Sequence, residues 1–81
     1  MKWIKDSHWP GIFYASGRLG RLYELSRNED STFSITVRLP NCEIDKLFIG
    51  KTRHKEWAKD IAEALEKYLV KLSGGSNESN G

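Results

Sequence analysis

Apolar and polar residues alternate most cleanly over residues 32–39, where Phe33, Ile35, Val37 and Leu39 are separated by Ser34, Thr36 and Arg38. A period of two gives a strand one apolar and one wet face, the pattern of an antiparallel sheet covered on one side. Residues 19–27 read as a strand with looser alternation, and the polar run at 27–31 supplies the turn of a hairpin. An earlier strand is predicted over 12–16, between turn signals at Pro10 and Gly11 and at Ser16 and Gly17. Pro40 and Asn41 break the chain after Leu39, and a final strand is predicted over 44–49, stopped by Gly50.

From residue 53 to residue 72 the period becomes that of a helix. Trp57, Ile61, Leu65, Leu69 and Leu72 recur every three or four positions, flanked by Ala58, Ala62, Ala64 and Tyr68. This stripe is predicted to face the core, with Trp57 inside it. Thr52 is the predicted N-cap, although Lys55 is not the Glu or Gln of a capping box. Ser73, Gly74 and Gly75 are expected to end the helix, since glycine accepts the left-handed conformation found just past many helix ends. Residues 1–73 then form one globular domain and residues 74–81, polar throughout, a flexible tail. The predicted fold class is α+β: a three- to four-stranded antiparallel β-meander with one C-terminal α-helix packed on one face.

Composition narrows the picture. With 81 residues, 38% hydrophobic and 30% charged, the chain can build one modest core and no second folded unit. No apolar run approaches the ~18 residues a membrane span requires, and the start lacks the apolar stretch of a secretory signal. A cytoplasmic protein with no membrane association is expected, as a monomer or weak dimer. Cys42 is the only cysteine, so the domain is held by packing without an internal disulfide, which fits a reducing compartment.

Catalytic signatures are missing from the sequence. Gly50, Lys51 and Thr52 match only the end of a P-loop, and the required upstream glycine is replaced by Asp45. His8, His54 and Cys42 are not at metal-ligand spacing and fall short of the four ligands of structural zinc. Glu24 with Glu43 or Asp45 makes a nominal carboxylate pair, but so small a domain has little room for a substrate cleft. The chain is therefore read as a binding protein, not an enzyme, with no catalytic residue, metal or cofactor.

The candidate binding chemistry lies in its cations and aromatics. The net charge is +2, and basic groups gather at Arg18 and Arg21 and again at Lys51, Arg53 and Lys55; adjacent in the fold, these would form one patch. If Phe33, Ile35, Val37 and Leu39 face the helix, then Ser34, Thr36 and Arg38 face outward with what the neighbouring strands contribute, a surface suited to a nucleic-acid backbone or major groove. Lys51, Arg53 and Lys55, at the start of the helix, suit a phosphate. Trp3 and Trp9 lie outside the clear strands, as lids on the core, stacking platforms for unpaired bases, or anchors for a protein partner.

From residue 32 to residue 65 the order is strand, turn, a strand ending LFIGKT, and a helix KEWAKDIAEAL. This resembles the hairpin-plus-helix of plant ethylene-response-type DNA-binding domains and of the related arm-binding domains of phage integrases, with Gly50, Glu56, Ala58 and Ala62 in comparable places. Thr52 stands where those domains usually carry an aromatic, and Phe33 where they carry a tryptophan. The resemblance implies a sheet lying on duplex DNA, in a phage or other mobile element, with Arg18, Arg21, Arg38 and Lys46 as the sheet-side contacts. DNA is thus favoured over RNA as the nucleic-acid partner. The alternative function is a small protein-binding module or inhibitor, possible for a phage product, that acts on a larger protein through its sheet edge or through Trp3 and Trp9.

Overall fold

The computed structural model describes residues 1–40 and 46–78. Among them an antiparallel sheet is built from β1 (Ile4–Lys5), β2 (Ile12–Ser16), β3 (Leu22–Arg27), β4 (Phe33–Arg38) and β5 (Lys46–Thr52), in the order in which they occur along the chain. A helix, α1 (Lys55–Glu78), follows and lies across one face. The architecture is α+β, as the periodicities indicate, but with five strands. The additional strand is β1, two residues pairing Ile4 with Tyr14 and Lys5 with Phe13, too short to leave a period in the sequence. No helix among the described residues is long and apolar enough to cross a membrane.

The alternation in β4 is realised as predicted. Ile35 and Val37 are fully buried beside their cross-strand partners Leu25 and Tyr23, and Phe33 and Leu39 pack against this cluster. The buried face of the helix differs from the predicted stripe. Ala58 and Ala62 are the residues in full contact with the sheet, Leu65 packs beside them, and Trp57 is 56% exposed. Three contacts fix this rotation: Lys55 and Lys59 lie over the ring of Phe13 on β2, Glu63 accepts a bond from Trp3, and Glu66 from the β2–β3 turn. One flank of α1 therefore faces β1 and β2. The opposite flank, carrying Trp57, Ile61, Tyr68 and Leu72, overlooks the free edge of the sheet at β5.

Other boundaries shift for local reasons. β3 begins at Leu22 instead of residue 19, because Arg18–Gly20 forms a 3-10 turn in which Leu19 takes φ 58° and Gly20 φ 81°. β5 runs through Gly50 to Thr52, with an irregularity in its register opposite Ile35 and Thr36. Because Thr52 still belongs to the strand, it is not the N-cap. Its hydroxyl donates to the carbonyl of His54, which itself accepts the first helical bond from Ala58 N–H. The helix continues past Gly74 and Gly75 to Glu78, since glycine permits a left-handed cap without compelling one. Cys42 and the predicted strand start at Ile44 lie outside the described residues.

Leu19 offers a local test. It is largely exposed, and a left-handed leucine costs of the order of 1 kcal/mol. Asparagine tolerates that conformation, so Leu19→Asn is expected to raise stability by about 0.5–1 kcal/mol in urea denaturation. An unchanged or lower midpoint would show that the turn is not strained.

Candidate nucleic-acid interface

The face of the sheet opposite α1 has no layer of structure over it among the described residues. The registers set its side chains in rows across the strands. One row runs Ser16, Leu22, Arg38 and Lys46; the next Ile4, Tyr14, Glu24, Thr36 and Phe48; the third Ile12, Ser26, Ser34 and Lys51. Hydroxyls and the Glu24 carboxylate occupy its centre and cations one edge. Phe48, beside Thr36, is 60% exposed. It stands between Lys46 and Lys51 on β5, with Arg38 across from Lys46.

The two basic clusters expected from the sequence do not form one patch. Arg18, Arg38 and Lys46 collect at the end of the sheet where β2 and β4 finish, whereas Lys51, Arg53 and Lys55 lie at the opposite end, where β5 passes into α1. Hairpin connections place turns alternately at the two ends, so residues 18–21 and 51–55 are separated by the length of β5. Lys55 is turned to the helix side, its ammonium 4.6 Å from the centre of the Phe13 ring.

Arg21 is not a surface cation. Its guanidinium donates to both oxygens of Glu66, Nε to Oε1 at 2.8 Å and Nη2 to Oε2 at 3.0 Å, with each side chain 10% exposed. The same carboxylate accepts the Tyr23 hydroxyl at 2.7 Å and the Arg18 backbone N–H at 2.8 Å. The Arg21 pair holds the Glu66 carboxyl down at about 2, against the opposing effect of its burial, with the Arg18 N–H and Tyr23 hydroxyl adding to the shift. Burial, then the bond to Glu66, push the Tyr23 hydroxyl well above its usual range. A Cβ on Gly17 would lie 2.5 Å from Oε1, so the β2–β3 turn closes on the carboxylate only because that residue is glycine. The basic cluster and the resemblance put Arg21 among the DNA contacts; its position one residue before Leu22 instead points it toward α1.

The remaining cations are lightly paired. Lys46 Nζ lies 3.9 Å from Glu24 Oε1 and Lys51 Nζ 3.2 Å from Asp30 Oδ2, both lysines about half exposed. Asp30 is held at about 2 chiefly by the Thr32 hydroxyl, then by the Thr32 N–H and Lys51. Arg38 and Arg53 are exposed and form no ion pair among the described residues. The Lys51–Asp30 pair is exposed on both sides and worth little, so a phosphate can replace the carboxylate there, while Glu24 is 14% exposed and also accepts from Ser26.

The tryptophans separate. Trp3 packs against the core and its indole N–H donates to Glu63 at 3.1 Å, in the place of a lid on the core. Trp9 is 59% exposed at the tip of the β1–β2 connection. Asp6 Oδ1 accepts the N–H groups of His8 and Trp9 at 2.7 and 2.8 Å, fixing that tip, and these two bonds lead in holding the Asp6 carboxyl below its usual range. Interaction with Asp6, then burial, raise the Tyr14 hydroxyl above its usual range on the open face. Beside Tyr14 is a hollow of about 430 Å³, lined by Lys2, Ile4, Tyr14, Ala15, Ser16 and Leu22.

Phe48 and this hollow are the features that pattern reading missed. Alternation in residues 44–49 does not say which face Phe48 takes; its pairing with Thr36 does, and that depends on the register irregularity in β5. No protein-family model matches the chain, and no curated protein or solved structure matches it.

Proposed function

We propose that this domain binds a nucleic-acid strand across the open face of its sheet, as a binding module and not a catalyst. The observation that carries the reading is Phe48, an exposed aromatic ring on an uncovered sheet with Lys46 and Arg38 to one side and Lys51 to the other. Base stacking on an aromatic needs no sequence match, and cations spaced along a strand follow the phosphates. Thr36 adds a hydroxyl donor to the backbone between them, whereas the Ser26 and Ser34 hydroxyls donate to Glu24 and Asn28. Arg18 at the near end and Arg53 at the far end extend the track. A ring favours unpaired bases, so single strands are the preferred form.

The test is fluorescence anisotropy with labelled single-stranded and duplex oligonucleotides at low and physiological salt. Micromolar binding that weakens steeply with salt is expected. Phe48→Ala should weaken it about tenfold or more, while Arg38→Gln and Lys46→Gln should each flatten the salt slope by about one. Absence of binding at low salt would overturn the reading.

A second reading, a protein-binding module, is favoured by Trp9, an exposed indole on a turn held rigid by Asp6. Exposed tryptophans on rigid supports are common interface anchors. Under that reading Trp9→Ala abolishes capture of the partner and Phe48→Ala leaves it intact.

A further inference from the structure

We propose that the chain pairs with a second copy of itself through the β5-side flank of α1, the two helices running antiparallel. The proposal goes beyond nucleic-acid binding and does not rest on it. Trp57, Ile61, Tyr68 and Leu72 are all exposed on that flank, and Leu47, across from core residue Val37 and so on the helix side of β5, is exposed beneath it. Together they present roughly 500 Å² of surface, more than half of the ~800 Å² that each partner buries in a typical stable interface. The spacing 57, 61, 64, 68, 72 is that of a helix–helix seam.

Two features select a second copy as the occupant. The first is self-complementary height. When two such helices are laid antiparallel about the level of Ala64 and Leu65, Trp57 comes level with Leu72 and Ile61 with Tyr68. The small Ala64 lies at the crossing, where the backbones approach most closely.

The second is charge. Asp60 and Lys71 form the solvent-side rim of the flank, with Glu56 and Lys67 further round the solvent face, all exposed and in no ion pair among the described residues. Within one helix these are like-charged pairs at a spacing of four, which is unfavourable. In the antiparallel pair, the second copy's Lys71 falls level with position 58, between Glu56 and Asp60, and its Lys67 just beyond Asp60. A parallel pair would set acid against acid and base against base. The surface is therefore complementary to itself in one orientation.

Sedimentation equilibrium of the full chain, without nucleic acid, decides the matter. The mass is expected to rise with concentration through the micromolar range toward twice the 9.3 kDa of one chain. Ile61→Asp with Tyr68→Asp should hold it at one chain with the circular dichroism retained, since the two side chains are 40% and 58% exposed in the single chain. Ala64→Arg, at an exposed position where arginine is a good helix former, should do the same without removing a large side chain. Lys67→Glu with Lys71→Glu should weaken pairing at least tenfold, and adding Glu56→Lys with Asp60→Lys should restore it. The proposal is overturned by a single-chain mass at every concentration, by a dimer indifferent to the flank variants, or by a fourfold reversal that pairs no better than the twofold one.

Discussion

Glu66→Ala is expected to cost about 3–5 kcal/mol, because it leaves the Arg21 guanidinium buried with no carboxylate and deprives the Tyr23 hydroxyl and the Arg18 N–H of their acceptor. Domains of this size have few kcal/mol in reserve, so the variant should be largely unfolded at 37 °C. Replacing both charges with apolar residues, Glu66→Leu with Arg21→Met, should cost less than Glu66→Ala alone, since no buried charge is then orphaned. Gly17→Ala should be destabilising in the natural background and close to neutral beside Glu66→Ala, because the three atoms nearest the added Cβ all belong to that carboxylate. Urea denaturation of these variants checks the whole set. A loss below about 1 kcal/mol for Glu66→Ala would mean that the cluster behaves as an exposed pair.

The same cluster sets the acid limit of the fold. The Glu66 carboxyl is held at about 2 in the folded chain, below the ordinary 4.5, so folding favours its charged form. Its stabilisation is complete above pH 4.5 and is lost as pH falls toward 2, by an amount of the order of 3 kcal/mol. Asp30 is also held at about 2, but it and Lys51 are exposed, and salt screens their pair. Salt leaves the Thr32 hydrogen bonds to Asp30 in place, so the discriminating result is acid unfolding that disappears in Glu66→Gln, which reports Glu66. At the alkaline end the raised Tyr23 hydroxyl acts in the opposite sense: its stabilisation is present below pH 10 and falls as the pH rises beyond that.

Local patterns carry the strands well where one face is buried and the other wet. β4 could be read from Phe33, Ser34, Ile35, Thr36 and Val37 because each step changes environment. The helix was legible as a helix but not in its rotation. From Ala64 round to Ala62, the positions between 55 and 72 leave an uncharged arc of roughly 160°, and the sheet covers about half of it. Large residues such as Trp57 weigh most in a hydrophobic pattern, whereas the sheet selected Ala58 and Ala62, whose small size permits close approach. Glu66, polar and buried, decides the rotation, and a one-dimensional pattern puts such a residue in solvent. The candidate site was legible as far as Arg38, Thr36 and Ser34, which share one strand; Phe48 required the pairing of β4 with β5, and the separation of Arg18 from Lys51 required the topology.

The contrast between Ile35 and Ile61 tests that account of the helix. Both isoleucines belong to apolar stripes in the sequence, yet Ile35 is 0% exposed between β3 and β5 and Ile61 is 40% exposed on the outer flank of α1. Truncating Ile35 removes three carbons from a site whose neighbours Leu25, Val37 and Tyr23 are pinned by sheet hydrogen bonds and cannot collapse into the space. Ile35→Ala should therefore cost about 2–5 kcal/mol and lower Tm by roughly 10–20 °C or more in a domain of this size. Ile61→Ala removes the same atoms from a position already partly in water and substitutes a better helix former, so it should change stability by less than about 1 kcal/mol. Both are to be measured by calorimetry on protein dilute enough to be single chains, so that loss of pairing does not enter. Equal losses would mean that the sheet covers the Ile61 flank and that α1 is rotated back toward the stripe its sequence suggests.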